Sequence, residues 1–347
     1  MSRPAHPRPT LAAVAERAGV SKATASKVLN DRPGVSEGTR RQVRQAIQEL
    51  GYIPSTGPRE PVARSAVHVV FDTIINMYSL YVLDGVISAG AEHGVDIVTS
   101  ALAADGVIPD QSLGTDRIRE IAARGHTGLI VVTAQLTGEE IALCESLGLP
   151  LVVIDPLNPL DDRVTSIGAT NWAGGVQATR HLLDLGHRRI AFAGGPEHSV
   201  PGRERLHGYR EALETAGLAP DPALTSHGPF AAETGVQIAE SLLDMGEPPT
   251  AIFAGSDVIA LGAIRVAQHR GVRIPEELSV VGFDDTYGAM WIEPGLTTVR
   301  QPLRQMGRVA ARTVLELAGG KVPDSHHVQL ATSLVIREST TGPPGPR

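Results

Sequence analysis

The sequence predicts an α/β protein with a small all-α head, and three observations support that class. Within residues 10–54, apolar residues recur at helical spacing in three short stretches. From residue 67 onward, β-rich runs alternate with helical stretches at intervals of about 25–40 residues, which predicts βαβ units and a mostly parallel sheet. The chain has 347 residues, and the roughly 275 that follow the head are too many for one compact core, so we expect two lobes with a cleft.

Composition narrows the class of protein further. The single cysteine, Cys144, excludes an intramolecular disulfide and fits a reducing compartment. No stretch approaches the ~18 consecutive apolar residues of a transmembrane helix. Residues 1–9 are rich in proline, are predicted to be disordered and lack the apolar region of a signal peptide. We therefore expect a cytoplasmic protein without a membrane partner.

Charge is divided unevenly along the chain. Residues 1–64 contain 11 Lys and Arg against 5 Asp and Glu, whereas residues 65–347 contain the other 20 against 33. A basic head on an acidic body indicates that the head binds a polyanion such as nucleic acid. A basic segment without any partner is the alternative.

The head is predicted to contain a helix-turn-helix followed by a third helix. Thr10, Ser21 and Ser36 are the expected N-caps of the three helices. In such a motif the second helix enters the major groove of DNA, where Lys22 and Lys27 could donate to bases or phosphates. A small helical bundle with a solvated basic face is the alternative.

Two segments of the head carry a family resemblance. Residues 10–30, TLAAVAERAGVSKATASKVLN, resemble the DNA-binding signature of the lactose/galactose repressor (LacI/GalR) family, and residues 35–54 resemble its third helix and the Gly-Tyr-x-Pro that follows. The resemblance implies that Lys22, Ala23 and Lys27 read bases, with Lys27 where the family more often has an arginine. The positions that it assigns to backbone anchoring or to structure are Thr10, Ser21, Thr24, Ser26 and Asn30.

Residues 55–65 form the predicted hinge, and they depart from the family pattern. In the family this segment becomes a helix on DNA and inserts leucines into the minor groove. Gly57, Pro58 and Pro61 oppose a helix, and Pro61 stands about where the wedge leucine would be. Either the hinge stays extended, or its wedge is Pro61 or Val62.

The polar residues that follow the predicted strands are the candidate site residues of the body, because ligands of parallel sheets bind beyond the carboxyl ends of the strands. The chain has no metal-ligand spacing, no GxSxG elbow, no Walker lysine motif and no GxGxxG loop, so we expect no metal, no cofactor and no enzyme activity. The pair Asp284–Asp285 could indicate acid–base chemistry. We prefer the interpretation that one carboxylate binds ligand hydroxyls while the other caps a turn. The predicted strands are 67–71, 95–100, 128–132, 151–155, 190–194, 251–254 and 279–283.

The body resembles the same family over most of its length. The resemblance implies the fold of periplasmic sugar-binding proteins, with two Rossmann-like lobes crossed by three strands and the effector between them. It implies that Arg205 binds effector hydroxyls or a carboxylate, that Asp284 accepts from ligand hydroxyls and that Asp155 is another carboxylate of the cleft. It also implies that Phe230 stacks on the ligand, which suits a sugar. An ion pair with a neighbouring helix is the alternative for Arg205. The matching blocks are residues 168–195, 203–217, 248–285 and 296–311.

Three further candidate effector-binding residues depart from the family pattern. Ser256 replaces a usual asparagine, and Tyr78 and Ser79 fall where the family often has Asn-Pro-Phe-Phe. Trp172 is interpreted as a core residue and not as a ligand stack. His187 is interpreted as a structural histidine at a turn.

The sequence therefore predicts a ligand-controlled regulator of transcription, a repressor of carbohydrate genes that binds palindromic double-stranded DNA. Residues 66–340 are expected to bind the effector and to form a homodimer. Residues 341–347, predicted to be disordered, cannot form the leucine-heptad helix of a tetramer. A solute-binding protein, an enzyme on a Rossmann-like fold, an activator and a regulator with a phosphoprotein co-effector are the alternatives.

Overall fold

The computed structural model of the chain describes residues 10–29, 32–50, 52, 65–102 and 112–345. The chain divides into two compact units between residues 63 and 64, near the predicted boundary between head and body. The predicted tail 1–9, the anchoring residue Asn30 and the hinge residues Pro61 and Val62 all lie outside the described residues. No helix in the described segments is both long enough and apolar enough to cross a membrane.

The head is a bundle of three helices, α1 (Leu11–Arg17), α2 (Lys22–Leu29) and α3 (Glu37–Leu50). All three predicted caps are present, because the hydroxyls of Thr10, Ser21 and Ser36 accept hydrogen bonds from the backbone N–H three residues later. The apolar faces of the helices meet in a small core. This core fixes α2 by its inner face and leaves its outer face exposed. This core contains Val14, Ala15, Ala25, Val28, Val43 and Ala46.

The body alternates helices and strands, as the spacing of its apolar runs predicts. Its helices are α4 (Met77–His93), α5 (Thr115–Ala123), α6 (Gly138–Ser146), α7 (Asn171–Asp184), α8 (Val200–Thr215), α9 (Ala232–Leu243), α10 (Asp257–His269), α11 (Tyr287–Trp291) and α12 (Leu303–Ala318). Its strands are β1 (Ala66–Phe71), β2 (Asp96–Ala101), β3 (Gly128–Val132), β4 (Leu151–Ile154), β5 (Thr165–Ala169), β6 (Ile190–Gly194), β7 (Thr225–His227), β8 (Ala251–Ala254), β9 (Ser279–Asp284), β10 (Thr297–Arg300), β11 (His327–Leu330) and β12 (Ser333–Val335).

The strands form two six-stranded sheets, one in each lobe of the body. The order is β11-β5-β4-β3-β1-β2 in the first lobe and β12-β10-β9-β8-β6-β7 in the second. Neighbouring strands are parallel, except that β10 and β12 are antiparallel. Two apolar clusters pack in each lobe. The predicted class, two lobes built on mostly parallel sheets, is confirmed.

The seven predicted strands correspond to β1, β2, β3, β4, β6, β8 and β9. The sequence analysis missed β5, β7, β10, β11 and β12, which contain only three to five residues each. Three of these, β7, β11 and β12, lie at the edges of their sheets. Because an edge strand is only half-buried, it lacks the continuous apolar run by which the central strands are recognised.

The chain crosses between the two lobes three times, as the family resemblance implies. It passes from β5 to α7, from β10 to α12 and from β11 to β12. The α12 helix therefore packs in the first lobe although it follows the strands of the second. These crossings place the carboxyl ends of the two sheets against each other.

Two glycines bring α7 unusually close to α8. A Cβ on Gly175 would lie 2.5 Å from the carbonyl oxygen of Arg205, and one on Gly208 would lie 2.2 Å from the carbonyl oxygen of Trp172. Any larger residue would push the helices apart, since side-chain carbons do not approach backbone oxygens so closely. The close packing places the first turn of α7 beside Arg205.

Two predictions for loops of the body have different outcomes. His187 is structural, as predicted, because its ring nitrogens lie 2.8 Å from the Thr250 hydroxyl and from the Thr341 carbonyl oxygen. The predicted disordered tail at 341–347 begins too early. Thr341 is held not only by His187 but also by Ser279, whose hydroxyl accepts the Thr341 backbone N–H at 3.0 Å.

Candidate functional site

The outer face of α2 carries the predicted base-reading residues. Lys22, Ala23 and Lys27 are exposed, whereas Ala25 and Val28 of the same helix are buried in the head core. The helix thus combines an anchored inner face with a basic outer face that contains no bulky side chain. That is the arrangement that a helix needs to enter the major groove.

The predicted anchoring residues of the head serve its own helices. The Ser21 hydroxyl accepts the backbone N–H of Thr24 at 3.1 Å, and the two hydroxyls lie 2.8 Å apart. Thr10 caps α1 in the same way, and Ser26 is half-buried. The two caps explain why Thr10 and Ser21 carry hydroxyl groups, without reference to DNA. That the anchoring residues also contact a DNA backbone stays a prediction.

In the body, two carboxylates lie at strand ends in unusual backbone conformations. Asp155 follows β4 with a φ of 45°, and Asp284 ends β9 with a φ of 120°. Residues other than glycine adopt positive φ rarely, at a cost of about 1–3 kcal/mol, and such residues cluster at binding sites. Both side chains are buried, with 2% and 8% of their surface exposed.

Asp155 is bound by Tyr78 of α4. The Tyr78 hydroxyl donates to Asp155 Oδ2 at 2.6 Å. Burial raises the pKa of Asp155, and the bond from Tyr78 lowers it in part. Burial also raises the pKa of Tyr78 well above its usual value, and the charge of Asp155 raises it further. Tyr78 therefore remains a hydrogen-bond donor at neutral pH.

Arg205 of α8 is the buried cation of the site. Its Nε donates to Asn171 Oδ1 at 2.9 Å, and its Nη1 donates to the Gly255 carbonyl at 2.6 Å. The same Nη1 lies 3.9 Å from Asp284 Oδ1, so the ion pair is made with a strand end and the alternative of a pair with a helix is wrong. The guanidinium carbon lies 3.9 Å from the centre of the Phe283 ring. Among the described residues no acceptor binds Nη2, which leaves it available to a ligand.

Asp284 and Gln301 form a second polar pair beside this cation. Gln301 Nε2 donates to Asp284 Oδ1 at 2.7 Å. Burial raises the pKa of Asp284 to about 6, against the lowering effects of Arg205 and Gln301. Gln301 Oε1 is buried and has no hydrogen-bond partner in the described part of the chain. The sequence analysis missed Gln301, because it follows β10, a strand that the apolar pattern does not reveal.

Phe230 adds an apolar surface to the polar cluster. The centre of its ring lies 5.8 Å from the Arg205 guanidinium carbon, and 37% of the side chain is exposed. A Cβ on Gly195 would lie 2.1 Å from the ring, so only glycine at the end of β6 lets Phe230 occupy this place. A partly exposed ring beside hydrogen-bonding groups can pack against the apolar face of a small ligand.

Two predicted effector-binding hydroxyls are used within the fold. Ser79 is buried and donates to the Thr73 carbonyl at 2.7 Å. Ser256 is buried as the N-cap of α10, where it accepts the backbone N–H of Ile259 at 3.4 Å. Since each hydroxyl supports its own loop or helix, a direct ligand contact by either residue stays a prediction without further support from the geometry.

The interpretation of Trp172 as a core residue is wrong. Half of its surface, 50%, is exposed, although it lies in the first turn of α7 beside the buried Asn171. The close approach of α7 to α8 involves the backbone of Trp172, so the large ring is turned outward. The aromatic residue type alone does not reveal whether the Trp172 ring points into the core or outward.

The second carboxylate of the Asp284–Asp285 pair does not cap a turn, contrary to expectation. Asp285 forms ion pairs with Arg300 and Arg337. Its backbone also has a positive φ of 59°. Because the two carboxylates have different partners, they do not form an acid–base pair, and Asp284 alone joins the Arg205 cluster.

The cluster combines acceptors, a cation and an aromatic face. The acceptors are the carboxylates of Asp155 and Asp284 and the Gln301 carbonyl oxygen, and the donors come from Arg205 and Tyr78. In the described segments, no group of three or more His, Cys, Asp or Glu side chains is placed to hold a metal ion. The arrangement can bind several hydroxyl groups of a small ligand, and it includes no activated nucleophile.

Comparisons with known families and structures agree with this geometry. The profile of bacterial regulatory proteins of the lacI family matches residues 10–55, and that of the periplasmic binding protein-like domain matches residues 179–340. The HTH-type transcriptional regulator CelR of Thermobifida fusca is 36% identical over 336 residues, which cover 96% of this chain and 98% of that protein.

Two solved structures extend the similarity to three dimensions. One is the transcriptional regulator CelR–cellobiose complex, with a TM-score of 0.72, 35% identity and coverage of 96% of this chain and 100% of that one. The other is the lac repressor dimer bound to operator and the anti-inducer ONPF, with a TM-score of 0.71, 28% identity and coverage of 96% and 99%. Both similarities span the head and the body together.

Proposed function

The chain belongs to the lacI family of bacterial regulatory proteins, and on that basis we propose that it represses carbohydrate-utilisation genes under the control of a sugar. The sugar binds between the lobes of the body, and the head binds operator DNA in the cytoplasm. The observation that carries the proposal is the cluster of Arg205, Asp284, Gln301 and Asp155 beside the exposed face of Phe230. Its relatives are named as transcriptional regulators, which favours a regulator over an enzyme.

The chemistry of the cluster favours a polyhydroxylated ligand. The free Nη2 of Arg205 and the unpaired Oε1 of Gln301 offer one donor and one acceptor within the same cluster. A sugar ring presents hydroxyls that satisfy both, and its apolar face fits against Phe230. Arg205 is already paired with Asp284, so it is poorly suited to neutralise an anionic ligand. The similar CelR binds cellobiose, which supports a neutral sugar.

The proposed partner of the head is a palindromic operator, read by two copies of the chain. The exposed basic face of α2 supports DNA binding, and the similar lac repressor is a dimer on its operator. A two-fold dimer presents two heads to two half-sites. Sugar changes DNA affinity only as far as it binds the two arrangements of the lobes with different affinities.

Thermal melting of the full chain against a panel of mono- and disaccharides tests the proposal. A sugar at ~100 times its Kd adds about 2.7 kcal/mol to stability, which raises the Tm. Phe230→Ala should abolish most of that shift, since it removes the apolar face of the site. Leu147→Ala, which truncates an exposed apolar residue at the end of α6, should keep the full shift. A melting temperature that no sugar raises would refute the proposed effector.

A further inference from the structure

A cavity of about 240 Å³ lies beside the cluster, between the two lobes and next to their crossings. One wall comes from β5 and β11 of the first lobe, and the opposite wall comes from the first turns of α8 in the second lobe. The cavity is therefore built by the relative position of the two lobes. Its polar lining includes Asp155, Asn158, Ser166, Asn171, Glu204 and Gln329.

The cavity and the Arg205 cluster share residues. Asp155 belongs to both, since its carboxylate lines the cavity and accepts from Tyr78. The Asn171 side chain connects them as well, because it donates to Glu204 Oε2 at 3.2 Å and accepts from Arg205 Nε at 2.9 Å. A ligand held by the cluster would thus be next to the cavity, with one carboxylate common to both.

Glu204 and Gln329 have hydrogen-bonding capacity that the fold does not use. Glu204 Oε2 binds Asn171, whereas no donor among the described residues reaches Oε1. Gln329 on β11 is exposed at the cavity wall, and no bond of its amide is present in that part of the chain. Asn158, by contrast, is satisfied, because both ends of its amide bind the backbone of Leu136.

The charge of the lining selects among ligands. Two carboxylates, Asp155 and Glu204, line the cavity together with His327, and its lining includes no lysine or arginine. Carboxylates accept hydrogen bonds from hydroxyls and repel phosphates and other carboxylates. A volume of about 240 Å³ is slightly below the range of about 300–1,000 Å³ usual for a whole ligand pocket. The cavity therefore fits one part of a ligand whose other part is bound elsewhere.

We infer that this cavity is a second sugar subsite, and that the effector is an uncharged disaccharide or longer saccharide. One ring lies against Phe230 in the Arg205 cluster, and the next ring donates its hydroxyls to Glu204 and Gln329 across the shared carboxylate of Asp155. The inference rests on the proposed sugar effector and adds its size, its lack of charge and the residues that select it.

Calorimetry on the full-length protein tests the subsite with two probes. The first is whichever of cellobiose, maltose, lactose and sucrose raises the Tm most, and the second is glucose. The wild type should bind the disaccharide at least tenfold more tightly than glucose. Glu204→Ala should weaken disaccharide binding about tenfold, as expected for one hydrogen bond to a charged group, and should weaken glucose binding much less. Gln329→Ala, on the opposite wall, should act in the same direction.

Two further variants separate a subsite from a structural effect. Glu214→Ala removes an exposed carboxylate from the last turn of the same helix, and it should change neither affinity. Glu204→Gln keeps an acceptor oxygen and should recover part of the disaccharide affinity. Equal weakening of glucose and disaccharide by Glu204→Ala would show a structural role only and overturn the inference.

The outcomes also distinguish this inference from the proposed function. If glucose binds the wild type as tightly as every disaccharide, the second subsite is refuted while the sugar effector stands. If none of the five sugars binds, the sugar effector itself is refuted, and the subsite with it. A disaccharide preference that disappears in both Glu204→Ala and Gln329→Ala supports both.

Discussion

Burial and neighbours together determine the chemistry of Asp284. The carboxylate lies at a strand end with a positive φ, accepts from Gln301 and lies 3.9 Å from an Arg205 nitrogen. Burial nevertheless dominates and raises its pKa to about 6. A hydroxyl ligand donates to the ionised carboxylate, so ligand binding and deprotonation favour each other.

Effector affinity should therefore rise with pH between 5 and 7. With a pKa of about 6, roughly one tenth of the Asp284 side chains are ionised at pH 5, so affinity should be about tenfold lower there than at pH 8. Calorimetry with the sugar that raises the Tm most measures the profile. Asp155 lies close enough for its charge to raise the pKa of Asp284, and its own pKa is also raised, so Asp284→Asn is the discriminating variant. This variant should bind the sugar weakly, and the rise in affinity with pH that is due to Asp284 should be absent.

Asp257 supports Asp284 indirectly, by holding the loop that follows it. Asp257 Oδ2 accepts the Thr286 backbone N–H at 2.7 Å, and Oδ1 accepts the Thr298 hydroxyl at 2.6 Å. A Cβ on Gly282 would lie 2.6 Å from Oδ1, so the neighbouring strand has room only for glycine. Burial raises the pKa of Asp257 to about 8.

Replacing Asp257 should destabilise the second lobe. Asp257→Ala leaves the buried Thr286 N–H without its acceptor, which should lower the free energy of unfolding by about 1–3 kcal/mol. Asp257→Asn keeps one acceptor oxygen and should lose less. Urea denaturation measures both variants. The control is Asp244→Ala, which removes an exposed ion pair with Arg270 and should change stability little, because solvent screens such a pair. An alanine variant at position 257 as stable as the wild type would contradict this account.

At the scale of single elements, α2 is held by its buried face and acts through its exposed face. Ala25 and Val28 pack in the head core, and Ser21 caps the helix. The helix has eight residues, so it depends on this packing and capping for its stability. Its exposed residues are consequently free to vary with the DNA sequence that is read.

Lys27→Ala should weaken operator binding without unfolding the head. Loss of one charged base or phosphate contact lowers affinity by about 1–3 kcal/mol, or roughly tenfold or more. A gel shift at constant salt, with an operator selected from random DNA by the wild type, measures the change. Lys321→Ala, at an exposed lysine after α12, serves as the matched control. Unchanged affinity of the Lys27 variant would refute the base-reading assignment.

For the whole molecule, the first lobe exposes an apolar stripe along the start of α4. Leu80 and Ile87, about one and three turns into the helix, are 47% and 49% exposed, and the preceding Ile75 is 85% exposed. Contiguous exposed apolar residues of this kind mark an interface between proteins. Together with the proposed dimer, they indicate where two copies of the body meet.

Ile87→Glu should shift the protein from dimer to monomer. A charge buried in an apolar interface without a partner costs several kcal/mol, more than the interface can compensate. Sedimentation velocity at micromolar concentration measures the state of assembly. Val322→Glu places the same charge at an 84% exposed apolar residue outside α4, and it should leave the dimer intact. A variant at Ile87 that remains dimeric would exclude this face.

Features of this protein that depend on local residue patterns can be predicted without a structure. Continuous apolar runs predict the central strands, hydroxyl residues before apolar periodicity predict the three caps of the head, and Asp155 and Asp284 stand at the ends of predicted strands. Arg205 is assigned through the family resemblance and not through a local pattern. Local patterns suffice there because buried parallel strands and helix N-termini have strict residue requirements.

Which of these side chains meet could not be predicted from local patterns and is visible in the fold. Gln301 joins the site because the chain crosses between lobes after β10, and Asp285 turns away to Arg300 and Arg337 although it adjoins Asp284. Trp172 is exposed because α7 approaches α8 by its backbone. The cavity beside Glu204 exists only where two lobes face each other. Each of these features depends on residues distant in sequence, and no local pattern records such distances.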